Sequence, residues 1–436
     1  RLRPYPVWSV GFSVASVEQH AEVVVLGAGI IGSTCAYYLA AEGRDVVLID
    51  RQPGAGLETS FANGGVLAPS MSDPWAGAGV PGYLLKSLGR EEAPLLLRLR
   101  AIPGMMGWGL QFLRNCNHQA WLKSTGITLS LAKYSKRVLD NLLQTLDLEH
   151  DRSDTGTLHL FRDSTSLKAG FSLADVYRSL DLDCTKLDRD QTIVMEPSLT
   201  AVKDTILGSV HYPDDRSGDA QVFSRCIASA AEDLGVRLLW NTTVRHLDVQ
   251  SDHSVVVEFD GKKLRTNKLV IALGAQTPFL GKALGLKIPV YPAKGYSVTL
   301  PFGDWNGAPN LVIADMTRKI GITRLGNRLR LAGTVEFDGY NTAINPRRCE
   351  MLVTAAKTNF PDLPLGPGRI DWAGLRPMTP DCRPIIGRVG SSNVLLNTGH
   401  GALGWTLAAG SARIVSDLVV GRTPEVDISG FDPNRF

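Results

Sequence analysis

Residues 22–50 read EVVVLGAGIIGSTCAYYLAAEGRDVVLID. Glu22 to Leu26 is β-branched and apolar without alternation, the pattern of a strand buried on both faces. Gly27-Ala28-Gly29-Ile30-Ile31-Gly32 forms a tight turn, Ser33 to Glu42 a helical run ended by Gly43, and Asp45 to Ile49 a second strand. At Gly27 and Gly29 only glycine allows the turn dihedrals and a close backbone approach, and Gly32 lets helix and strand pack tightly. The free N–H groups of this turn, at the positive end of the helix dipole, suit a pyrophosphate. Asp50 at the second strand's carboxyl end, with Arg51 beside it, suits a ribose diol. A lone GxGxxG is a weak signal; framed by strand, helix, strand and acid it predicts a dinucleotide-binding α/β unit. The plain alternative is a tight turn with no ligand.

Further along, Glu58 to Gly65 (ETSFANGG) is a polar, glycine-rich loop. Through Thr59, Ser60, Asn63, Gly64 and Gly65 it can wrap the far end of an extended dinucleotide, which suits a buried flavin better than a diffusing nicotinamide. A surface turn is the alternative. Two more segments agree with a flavin. The strand Leu269 to Leu273, following the strand that carries Val244, ends at Gly274 as a second approach to the nucleotide. The loop Gly399-His400-Gly401-Ala402-Leu403-Gly404 precedes a helix whose amides and dipole suit negative charge at the N1–C2=O edge of a reduced flavin. FAD is the expected cofactor.

Composition narrows the class. The 436 residues are 44% apolar and 20% charged, those of an ordinary globular chain long enough for two cores. With 46 basic and 43 acidic residues, no run of five like charges and no basic–aromatic clusters, nucleic acid is not an expected partner. The six cysteines form no CxxC pair, and no His stands at ligand spacing, so no metal is expected and the thiols read as reduced, in a cytoplasmic setting. No unbroken apolar stretch reaches 18 residues, so no membrane-spanning helix is expected. Residues 1–21 read as a degenerate leader, an expression remnant or a floppy extension.

Pieces that bind the dinucleotide lie at the start, middle and end. The expected architecture is α/β, a Rossmann-like FAD-binding domain discontinuous in sequence with a second domain inserted through it. Its expected spans are 22–90, 200–288 and 372–436, with the substrate or cap domain at 91–199 and 289–371. Helices are expected through about 148, at 219–236 and at 405–420; 154–212 and 290–372 read as strands and turns.

Taken in order, VVVLGAGIIG, ETSFANGG, DDRSGDAQVF, YPAKGYSVTL, WAGLRPMTPDCRPIIG and TGHGALGWTLAAGSARIVSDLV cover nearly the whole chain from residue 22 to 421. The chain resembles the FAD-dependent D-amino acid oxidase and glycine oxidase superfamily, and within it the D-amino acid dehydrogenase small subunits. The resemblance implies an α+β substrate domain built on a large mixed sheet. It also implies a dehydrogenase that passes electrons to a quinone or another carrier. D-selectivity rests on the resemblance alone. Cys382 stands at a turn where the wider family carries Gly; if the turn needs positive φ, Cys is strained there.

Oxidising an amino acid needs an anchored carboxylate, a neutral amine, a Cα–H aimed at flavin N5 and a stabilised reduced flavin. The planar fork of Arg376, in Gly374-Leu375-Arg376-Pro377, suits the carboxylate, and the resemblance assigns this arginine that part; a structural salt bridge is the alternative. Tyr296 and Tyr340 are candidate polar walls, or core tyrosines. Glu336 and Asp338 read as substrate-amine partners or as solvated strand-end acids. His400 contributes through its backbone more than its ring. The expected reaction is hydride transfer from Cα to N5, then hydrolysis of the imino acid to a 2-oxo acid and ammonia. Rival readings are an oxygen-using glycine, sarcosine or proline-type amine oxidase, a nicotinamide-dependent dehydrogenase, and a non-catalytic dinucleotide-binding protein. The apolar 80–113 segment, with Arg98, Arg100 and Arg114, reads as a lid, a peripheral contact on the inner face of the cytoplasmic membrane, or packed core helices.

Overall fold

The structure, a computed structural model, describes residues 19–87, 89–390 and 392–436. The extension expected at 1–21 lies outside these, except that 19–21 belong to the first strand, Gln19–Leu26. This strand is central in an eight-stranded sheet and runs parallel to Val46–Ile49 on one side and Lys262–Ile271 on the other. Its residues 21 and 23–26 are all fully buried, because helices cover one face and an antiparallel excursion the other. Helix Ile30–Ala41 starts directly at the glycine turn and packs against Ala220–Asp233 and Gly404–Val420. The hairpin Val244–Val249 and Val255–Phe259 contributes to the opposite layer.

A nine-stranded sheet carries the second half. Its main path runs from Ile370–Met378 through Tyr291–Pro301, Arg328–Phe337, Ile320–Leu325 and Val312–Asp315 to Thr157–Phe161, Gly208–Tyr212 and Thr185–Asp188. The strand Leu95–Leu97 adds in parallel to Arg328–Phe337. Helix Pro346–Lys357 packs across Tyr291–Pro301 and Arg328–Phe337. The mixed α+β second layer is therefore present as expected, but the expected boundaries move. Gly208–Tyr212 and Ile370–Met378 pair in the second sheet, although 200–288 and 372–436 were assigned to the first domain. Helix His118–Thr145, expected in the cap, packs on Gly404–Val420 and joins the first core. Chain order does not show which sheet a strand joins; its long-range partners decide.

Three helices sit where only strands and turns were expected. Ser164–Ser179 is capped by Asp163, whose side chain accepts from Ser166 N, and it buries Ala174 and Tyr177. Arg189–Met195 opens with an Asp188/Gln191 capping box. Asn345 caps Pro346–Lys357, with Pro at the first turn. Their cap signals are visible in the sequence, but neighbouring β-branched residues mask them. The run Gly401–Val420 is long and apolar enough to cross a membrane, contrary to the sequence reading. Here it is a core helix: 72% of its most apolar window is buried, and Gly410 donates its N–H to Ser135 Oγ of the helix packed on it.

Candidate active site

A cleft of about 460 Å³ is lined by residues of both sheets. Its nucleotide end is built by the first strand's turn. Gly27 adopts φ +97°, and a Cβ there would lie 2.7 Å from the Ala272 carbonyl oxygen. A Cβ on Gly32 would lie 1.8 Å from the Gly27 carbonyl oxygen, so the helix start seats directly on the turn. Asp50 accepts from Ala28 N (2.6 Å) and Gln52 N (2.8 Å), bracing the turn from the neighbouring strand end. Burial pushes its carboxyl up from the usual carboxylate value, against the pull of those two amides. Arg51 pairs with Glu58 at 2.5 Å beside it.

The 58–65 loop is the joint between the sheets. Ser297 Oγ donates to Ala62 O, Arg330 Nη1 to Asn63 O, and Thr323 Oγ1 to Gly64 O. Thr59 Oγ1 donates in turn to Leu375 O, and Ser60 Oγ accepts from Ile30 N. Side chains of the second sheet thus shape a loop that borders the nucleotide turn.

Of the residues expected to meet the cofactor, Gly27, Gly29, Ile30, Ile31, Asp50, Arg51, Thr59, Ser60, Asn63, Gly64, Val244, Gly274, His400, Gly401, Ala402, Leu403 and Gly404 all line the cleft. Ala28, Gly32, Gly65 and Gly399 are not among its lining residues. At Gly65 and Gly399 the backbone turns with φ +69° and +75°. The cleft-lining Asn397 Oδ1 and His400 Nε2 are buried without hydrogen-bond partners, as polar groups awaiting a ligand are. Burial pushes the His400 ring down to about 3, so it is neutral at working pH and is no general acid. The glycine cradle, the orphaned polar atoms and the helix start at Gly404 fit FAD.

At the other end, strands Tyr291–Pro301 and Ile370–Met378 place Gly295 opposite Gly374. These two glycines clear a floor. A Cβ on Gly295 would sit 1.9 Å from Arg376 Nη1, and one on Gly374 would sit 2.0 Å from the Trp372 ring. The Arg376 guanidinium lies across that floor, 5.8 Å from the Trp75 ring, and donates to Thr334 O at 3.5 Å. Among the described residues no carboxylate pairs with it, and burial alone pushes its pKa down to about 10, which leaves it charged at neutral pH. A half-buried guanidinium that lines the cleft with no acid beside it suits a ligand anion.

The other two candidates sit elsewhere. Tyr296 borders the cleft, but its side chain packs in the second sheet's own core and its hydroxyl donates to Glu336. The odd-numbered residues of that strand, Gly295 and Ser297, face the first domain, which a period of two requires. Tyr340 is outside the cleft lining; its ring packs at a tilt against Phe279, a cleft residue that is largely exposed, 4.7 Å between ring centroids. Glu336 and Asp338 are not solvated acids. Both are buried and pair with Arg98 (2.5 Å) and Arg100 (2.6 Å), and Lys294 lies between them. The result ties the 91–100 segment to the sheet.

Sequence reading missed Met71, Trp372 and Asn397, which also line the cleft. Met71 ends the turn Pro69–Met71, which buried Asp215 holds from beneath by accepting from Ser70 N and Ser70 Oγ. Burial pushes the Asp215 carboxyl up to about 7. Nothing local in the sequence links residues 70 and 215. Cys382 does adopt φ +59°, the strained conformation anticipated for it, and burial pushes its thiol up to about 12.

The comparisons agree with this geometry. The solved structures of L-proline dehydrogenase from P. horikoshii and glycine oxidase from Geobacillus kaustophilus share the fold. Their TM-scores are 0.75 and 0.74 at 19% and 20% identity, covering 96% of this chain and 98% and 99% of theirs. Relatives named D-amino acid dehydrogenase are closer in sequence. That of Paramagnetospirillum magneticum is 41% identical over 420 residues, 95% of this chain and 99% of the relative. That of Methylobacterium radiotolerans is 42% identical over 412 residues, 93% and 97%. The family model described as FAD dependent oxidoreductase matches residues 22–418, from the first buried strand to the last turn of the core helix. With the glycine cradle at one end of the cleft and the match running through every segment that lines it, the chain belongs to the FAD dependent oxidoreductase family.

Proposed function

We propose that the protein oxidises D-amino acids to 2-oxo acids and ammonia. The observation that carries this reading is Arg376, a half-buried, charged fork that lines the cleft with no acid partner among the described residues. Its geometry suits the substrate carboxylate in a bidentate pair. FAD, held by the glycine turn and the 400–404 loop, would supply the two-electron acceptor for the Cα hydrogen. The chain's own residues bind and orient. Arg376 holds the carboxylate, Trp372 and Met71 line the same cleft, and the neutral His400 and the start of helix Gly404–Val420 would stabilise negative charge on a bound flavin. The amine loses its proton before or as the hydride leaves, and water hydrolyses the imino acid. No group here is required as a general base, because the substrate amine itself can arrive neutral. The D-amino acid dehydrogenase names of relatives at about 41% identity support the substrate class.

Anaerobic titration of the holoenzyme tests the proposal. D-alanine or D-proline should bleach the flavin's visible band and L-alanine should not. A flavin left oxidised by every D-amino acid would overturn it.

The electrons pass to a quinone or another carrier, and the protein meets a membrane surface through helix Ile102–Asn115. Trp108 and Phe112 bury one side of this helix, whereas Met106 and Leu110 on the other are 60% and 62% exposed. Leu113 continues this stripe, and Arg100 and Arg114 flank it. Such an amphipathic face, basic at its borders, suits an anionic bilayer. Sedimentation with anionic liposomes should carry the protein down, and a Leu110→Asp variant should stay in solution; equal behaviour of the two would remove this contact.

A further inference from the structure

Where strand Arg328–Phe337 passes Arg376, it carries one residue more than its partner. Gly295 pairs with Val335 and Tyr296 with Gly333, so Thr334 is the extra residue of a β-bulge. It adopts φ +50°, an outlier for a β-branched residue. Its side chain is buried, and Oγ1 has no hydrogen-bond partner. Its carbonyl oxygen accepts from Arg376 Nη1, and the adjacent Gly333 lines the cleft. The guanidinium without an acid lines the cleft, and the hydroxyl without a partner belongs to the residue that hydrogen-bonds it, one position from the cleft-lining Gly333.

Each is unfavourable alone. A buried hydroxyl left unpaired loses its hydration, and a strained β-branched residue persists only where its surroundings impose it. One ligand group satisfies both: a carboxylate has two oxygens, one or both for the guanidinium and a remaining lone pair for an O–H donor. The bulge also explains the orientation of the fork, because its carbonyl occupies one N–H of Arg376 and leaves the others for the ligand.

We propose that Thr334 is a second carboxylate-binding residue, its carbonyl orienting Arg376 and its hydroxyl donating to a substrate carboxylate oxygen. The inference rests on Arg376 being the carboxylate anchor. Thr334→Val tests it with the least disturbance, because valine keeps the β-branch and the backbone cost and removes only the hydroxyl. Thr334→Ser restores the hydroxyl, and Thr334→Ala serves if valine impairs folding. The holoenzyme is titrated with propionate, a carboxylate that lacks the oxidisable amine, and binding is read from the shift of the flavin band. KM and kcat for D-alanine are measured alongside.

Thr334→Val should raise both the propionate Kd and the KM about 10-fold, equivalent to about 1.4 kcal/mol, with kcat within about twofold. Thr334→Ser should bind within about twofold of the parent on the same scale. An unchanged Kd in Thr334→Val and Thr334→Ala overturns the proposal for Thr334. Arg376→Lys in the same titration separates the two readings. If it weakens propionate while Thr334→Val does not, only Thr334 loses its role. If it leaves the Kd unchanged, the anchor reading itself fails.

Discussion

Replacing Arg376 with Met should lower kcat/KM for D-amino acids by about 10²- to 10⁴-fold, the loss of about 3–5 kcal/mol expected when one partner of a buried, hydrogen-bonded ion pair is removed. Stability should move the other way. In the ligand-free protein the guanidinium pairs with no carboxylate among the described residues, and desolvation pushes its pKa down to about 10. The folded state therefore disfavours the charged form. Because the folded pKa lies below the unfolded one, the unfolded chain binds more protons between them, and stability rises as pH climbs above about 10. Arg376→Met should thus unfold at an equal or higher temperature than the parent while being nearly inactive. A variant that is inactive and also strongly destabilised would mark Arg376 as a structural residue, and one that retains kcat/KM would remove it from the site. Steady-state kinetics and thermal unfolding of the same preparation decide.

Two glycines of the same turn, Gly29 and Gly32, should fail in different ways when changed to Ala. At Gly32 the new methyl would lie 1.8 Å from the Gly27 carbonyl oxygen, a backbone atom that cannot move without dismantling the turn. Gly32→Ala should cost at least about 3 kcal/mol, the upper range for overpacking, and yield little folded protein. At Gly29 the methyl would meet only Ser60 Oγ, at 3.5 Å, an ordinary contact. Gly29→Ala should fold, yet its methyl stands on the cleft wall where the nucleotide's phosphates approach the helix start. Its FAD content, read from the visible band per protein, should fall sharply while circular dichroism stays that of the parent. Full flavin occupancy in Gly29→Ala would place the pyrophosphate elsewhere.

Local signals carried a large part of this protein. Residues 22–50 by themselves specify a buried strand, a glycine turn, a helix and a strand-end acid, because each depends on neighbours within one α/β unit. Most of the residues expected to meet the cofactor come from that unit and from two other glycine-rich loops, and they line the cleft. The GLRP stretch also singles out Arg376, and the structure places that residue in the cleft lining. Tertiary structure decided what depends on partners far along the chain. Ile370–Met378 joined the second sheet through pairing with Tyr291–Pro301, which no local pattern encodes. Glu336 and Asp338 became buried ion-pair members because Arg98 and Arg100 arrive from 238 residues away in sequence. Tyr296 turned its hydroxyl to Glu336 because strand alternation gives that side of the chain to the sheet's own core. Thr334 left no mark in the sequence at all: a bulge is a mismatch of register between two strands, and it exists only once both are paired.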